Sequence, residues 1–243
     1  LARAASDSDL ASATKSNTAT LAVSSPPVIG ATIPSVTGSP VLGAAALTAT
    51  NGTWTWKPTT ATATYSYKWF TCPSTMNFAG GAELPAGCSQ IANQTAGSLI
   101  LTTSQLGFKI MAEVTASVKT NMPTPSRTSH YTAVTAVVAS KPAAGTTAPT
   151  ISYTTLTAGS ILKANLGTWT GSPAPTLAYT WYTCPANTTQ PTNKLAPATC
   201  TALTAKGDLT VLSTYKGLKL LLLVTATNSA GTATNIATLL AIP

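Results

Sequence analysis

Residues 65–73 read YSYKWFTCP, and residues 178–185 read AYTWYTCP. Laid over each other, they place Tyr67, Trp69, Cys72 and Pro73 on Tyr179, Trp181, Cys184 and Pro185, and the second cysteines, Cys88 and Cys200, keep the same spacing. Upstream, GTW occurs at 52–54 and again at 167–169. Downstream, LGFKIMAEVTAS (106–117) answers KGLKLLLLVTAT (216–227), so Gly107, Lys109, Val114, Thr115 and Ala116 recur as Gly217, Lys219, Val224, Thr225 and Ala226. One frame, given twice in one order, is an internal repeat, and a repeat decides the architecture before any single element does. The repeat predicts an N-terminal tail over 1–25, one unit over 26–140 and a second over 141–243, each near the ~100 residues of a small β-sandwich.

Within each unit the apolar period is two. Ile110, Ala112, Val114 and Ala116 share one face, while Met111, Glu113 and Thr115 share the other; in the second unit Leu220, Leu222, Val224 and Ala226 face inward. Frequent Gly and Pro clusters mark turns, and no stretch carries a helical stripe, so the chain reads as all-β, with two tandem immunoglobulin-like sandwiches. Trp69 and Trp181, with Tyr67 and Tyr179 on the same pleat face, are the predicted core, because a sandwich of this kind buries a Trp on its third strand. Trp54, Trp56 and Trp169 sit beside turns. They are expected to be partly exposed, either packing at the core rim or meeting a ligand.

The composition supports a folded but weakly charged chain. Of 243 residues only 7% are charged, against about 25% in an ordinary domain, yet five Trp and seven Tyr remain. The net charge of +8 is scattered rather than clustered on an arm or among stacking aromatics, which argues against nucleic acid. No run reaches the roughly 18 apolar residues of a membrane helix, and the most apolar one, Leu218 to Ala226, is broken by Lys219, so no membrane insertion is expected. The chain begins at Leu1, which fits removal of a leader or cutting from a longer protein, with any anchor outside it.

The pattern of GTW, a Pro-rich turn, Y-x-W-x-x-C, a second Cys, and G-x-K before VTA resembles the immunoglobulin-like repeats of actinobacterial extracellular and cell-surface proteins. The second unit carries the fuller form, GTWTGSPAPT and VTATNSAG; the first departs from it with TWKPTTATAT and KTNMPTPS. The resemblance implies the sandwich fold and an exported location. It implies no single activity, since one fold carries many functions.

Four cysteines fall two to a repeat, and in each repeat both follow the Trp, so an inter-sheet bridge of the antibody type is excluded. The expected bonds are Cys72–Cys88 and Cys184–Cys200. Each would tie the end of the Trp strand to the start of the next and pin the loops 73–87 and 185–199. Closing a loop of ~15 residues is worth about 3 kcal/mol in the chain-entropy model. Such bonds imply an oxidising, extracellular or cell-surface location. No metal site is predicted, for want of Cys-x-x-Cys pairs and with a single His.

The acids are Asp7, Asp9, Glu83, Glu113 and Asp208, and the one imidazole is His130. They form no legible nucleophile elbow, carboxylate pair or phosphate loop, so neither an enzyme nor a cofactor is expected. The leading functional expectation is a structural subunit or stalk of a surface filament, self-associating into a polymer. The strand-like segment 18–25, with Thr20, Leu21 and Val23, would pair with a neighbour, and the outward apolar residues Leu221 and Leu223 would form a contact. The alternatives are an adhesin that binds a cell-wall or host glycan through the pinned loops, and a phage decoration or tail protein.

Overall fold

The computed structural model describes residues 25–57, 59–119 and 124–243. Thr20, Leu21 and Val23, the rest of segment 18–24, and the Asp7/Asp9 pair lie outside the described residues. The first unit runs through β1 (Ser25–Ile29), β2 (Ser35–Thr37), β3 (Leu47–Thr50), β4 (Trp54–Lys57), β5 (Ala63–Cys72), β6 (Ser89–Gln90), β7 (Ser98–Leu99), β8 (Lys109–Val118) and β9 (Ser126–Tyr131). The second repeats the series as β10 (Ser140–Ala144), β11 (Thr150–Ser152), β12 (Ile161–Asn165), β13 (Trp169–Ser172), β14 (Thr176–Cys184), β15 (Thr201–Ala202), β16 (Leu209–Thr210), β17 (Lys219–Asn228), β18 (Gly231–Ile236) and β19 (Leu240–Ala241).

In each unit a three-stranded sheet faces a larger antiparallel one. The orders are β2-β3-β7 against β6-β5-β8-β9, and β11-β12-β16 against β15-β14-β17-β18 with β19 also on β17. This is the sandwich expected. Its cores are the inward residues predicted from the period of two: Trp69, Ile110, Ala112 and Val114 in the first unit, and Trp181, Leu220, Leu222 and Val224 in the second, all at 0% exposure. Tyr67 and Tyr179 pack half-buried against these clusters. Each core indole also finds a carbonyl: Trp69 Nε1 donates to Ala96 at 2.8 Å and Trp181 Nε1 to Gly207 at 2.9 Å. That hydrogen bond removes the cost of burying the one polar atom of the ring.

Strands open both units, Ser25–Ile29 in the first and Ser140–Ala144 in the second. Ser25 opens β1, which pairs with β4 inside the first unit, and Ser140 opens β10, which pairs with β13 inside the second. The units therefore begin one residue earlier than expected, and Ser25, assigned to the tail, pairs inside the first unit. Proline disguised both strands. Pro26, Pro27 and Pro142 sit where the register shifts and the strand pairs on one side only, the place where a strand tolerates a residue without an N–H. Ser25 Oγ accepts from Lys57 N at 3.1 Å and Ser140 Oγ from Ser172 N at 2.9 Å, so the equivalent serine closes each of these two-stranded pairs.

Candidate functional site

The GTW tripeptides are built for the fold rather than for a ligand. Gly52 and Gly167 hold φ of +69° and +73°, and a Cβ at either would lie 2.5 Å from a backbone oxygen, of Thr32 or Thr147. Only Gly fits there. The next residue staples the turn from both ends. Thr53 N donates to Thr32 O at 2.8 Å while Thr53 Oγ1 accepts from Thr32 N at 2.9 Å, and Thr168 does the same with Thr147 at 2.9 and 3.0 Å. The indoles then turn back, Trp54 onto Asn51 O at 2.7 Å and Trp169 onto Leu166 O at 2.9 Å. Trp54 is buried, against the expectation of partial exposure; Trp56 and Trp169 are half-buried, and Trp56 Nε1 donates to Ala61 O at 2.8 Å.

The bonds Cys72–Cys88 and Cys184–Cys200 are present, and among the described residues no cysteine is free. The loops they close do not stand out as display loops. Each folds back over the outer face of its own larger sheet and makes a second, smaller core there. In the first unit Met76 and Phe78 from the loop cover Phe70 and Met111, together with Tyr131 and Val134. In the second, Ala196 from the loop, with Tyr182, Leu223, Ile236 and Leu239, encloses Leu221. Leu221 is at 0% exposure and Leu223 is partly buried. The expected contact surface at Leu221 and Leu223 is therefore withdrawn. Their outward apolar character does call for a cover, and the chain supplies its own. Met111, also on the outward face, is buried by the same means, and Glu113 is buried beside its ion-pair partner Lys68.

One lysine in each repeat holds its lid down. Lys109 Nζ donates to Met76 O and Lys219 Nζ to Thr188 O, both at 2.7 Å, and both carbonyls lie four residues past the first half-cystine. This explains the lysine of the repeated G-x-K, a recurrence visible in the sequence with no role read from it. The far side of each lid is fixed differently. In the first unit the loop backbone pairs with the sheet: Gly81 and Tyr131 exchange hydrogen bonds at 3.0 and 2.7 Å, and Phe78 O accepts from Val134 N at 3.1 Å. In the second, Gln190 stands at the place of Phe78 and its side-chain amide does the backbone's work. Its Oε1 accepts from Leu239 N at 2.8 Å and its Nε2 donates to Ala237 O at 3.3 Å.

Beyond the lids, two clefts of about 630 Å³ remain open. One lies within loop 185–199 and is lined by amides and hydroxyls, among them Asn187, Thr189 and Asn193, together with Pro185, Pro191 and Pro197. The other lies on the uncovered half of the first unit's outer sheet face, around Lys68, Glu113, Lys119 and Arg127. The one ion pair among the described residues, Lys68–Glu113 at 3.0 Å, stands at the boundary between lid and cleft. His130 lies on β9 opposite Val114, with Nδ1 buried and unpartnered among the described residues. Among the same residues no three His, Cys, Asp or Glu side chains are grouped as a metal site would need. Comparison with protein-family models and with curated proteins returned no match.

Proposed function

We propose that the chain is a stiff structural segment, a stalk or spacer, of an extracellular protein, and that it carries no reaction of its own. The observation that carries this reading is the join between the units, which has no spare residue. Ala139 belongs to the first unit, with its N donating to Pro40 O and its O accepting from Leu42 N, both at 2.9 Å. The next residue, Ser140, belongs to the second, with its O accepting from Asn228 Nδ2 at 2.9 Å and its Oγ held by Ser172. A linker with slack lets two domains move freely; a link of zero residues passes the direction of one unit to the next. The disulfides support export to an oxidising compartment. With Leu221 and Leu223 covered, polymer assembly through an apolar patch loses its basis; the spacer reading needs no such patch.

The test is the distribution of distances between one spin label on each unit. A single narrow distance is expected for the parent chain, and a broad one after six Gly-Ser residues are placed between Ala139 and Ser140. An equally broad distribution in both would refute a spacer. A second reading, glycan recognition through loop 185–199, is favoured by the polar lining of its cleft; selective binding on an array of neutral glycans, lost in an Asn187→Ala/Asn193→Ala variant, would support it.

A further inference from the structure

We propose that the open cleft on the first unit binds an acidic polysaccharide, an activity beyond that of a spacer. The cleft lies where the two repeats differ most in charge. On the outer face of the first unit, register places Lys68 opposite Glu113, with Arg127 two rows away opposite Ser117; Lys119 follows the end of β8. The same rows of the second unit pair Thr180 with Leu223 and Thr227 with Thr232, and carry no charge. Within the cleft Lys68 is engaged by Glu113, so Lys119 and Arg127 remain as exposed cations with no carboxylate partner among the described residues.

Between the Lys68–Glu113 pair and Arg127 runs a row of hydroxyls: Thr115 Oγ1 and Ser129 Oγ are 2.8 Å apart, and Ser66 lies beside them across the β5–β8 ladder. Hydroxyls that both donate and accept suit the hydroxyls of a sugar chain, and the guanidinium and ammonium groups suit its sulfate, phosphate or carboxylate groups. A nucleic acid strand fits less well, because it needs faces on which bases can stack. Among the described residues no aromatic side chain lines the cleft, and Tyr131 is turned edge-on to Phe70 at 5.7 Å. The net charge of +8 draws any polyanion toward the molecule and the cleft gives it one place to settle.

The experiment measures binding of the whole chain to dextran sulfate, neutral dextran and a single-stranded oligonucleotide at low and physiological salt. Binding to dextran sulfate alone is expected, weakening with salt. Two exposed charge contacts are worth a loss of about tenfold in affinity in a Lys119→Ala/Arg127→Ala variant. A Lys163→Ala/Lys216→Ala variant, which removes as much charge from exposed positions on the second unit, should bind like the parent. The proposal is overturned by equal losses in both variants, by no loss in the first, by tighter binding of the oligonucleotide, or by no binding to dextran sulfate. None of these outcomes bears on the distance between the units, so the spacer reading stands or falls separately.

Discussion

The two units share a frame but divide its apolar bulk differently. In the first, the lid brings the large side chains, Met76 and Phe78, onto a sheet face whose outward residues include the Lys68–Glu113 pair. In the second, the strand itself carries Leu221 and Leu223, and the lid contributes little more than Ala196. Phe78 pairs through its backbone where Gln190 uses its side chain. The constant parts are the bond, the lysine and the Trp. The lesson is that covering the outer face is the conserved requirement, and the residues that do it are exchangeable between loop and strand.

The largest expected effect strikes both units alike. Trp69→Ala and Trp181→Ala each empty a fully buried site and should cost about 3–5 kcal/mol, seen as loss of one of two calorimetric transitions. Equal tolerance of either would break the claim that both cores hang on this ring. Leu221→Ala should cost about 2–5 kcal/mol in the second unit; a variant with the parent's denaturation midpoint would restore Leu221 to the surface.

Gln190→Leu should free the Leu239 amide, speeding its hydrogen exchange, and destabilise the second unit by about 1–3 kcal/mol. The first unit, whose Phe78 stands in that place, should be untouched. The smallest effect is one of pH. Burial, and then the negative charge of Glu113, push the Tyr131 hydroxyl above the usual phenol range, with Lys68 opposing. The folded chain thus keeps a proton that the unfolded chain gives up near pH 10. Stability from this group is complete below about pH 10 and fades as pH climbs through the higher folded value. Tyr131→Phe should delay alkaline unfolding of the first unit relative to the second, as followed by near-ultraviolet dichroism.

The two long strands of each larger sheet, the buried Trp69 and Trp181, and the cysteine partners were legible, because alternation and repetition are local signals. The lids were half legible. Leu221 and Leu223 announce that something covers them, but one strand's pattern does not tell whether the cover is a neighbour or the chain's own loop. Met76 and Phe78 were the missing clue, apolar residues in a segment otherwise read as surface. Gln190 left no signal, since it matches nothing in the first unit and acts through a side chain that imitates backbone. Proline hid β1 and β10, and with them the join.

That join has a mechanical consequence. Val41 and Ala139 form a parallel bridge, so the segment near the start of the first unit and its last residues lie side by side and point the same way. Tension applied along the chain would pull them past each other and load the two hydrogen bonds of Ala139 together, rather than peeling them one by one. With no slack before Ser140, the same load reaches the second unit at once.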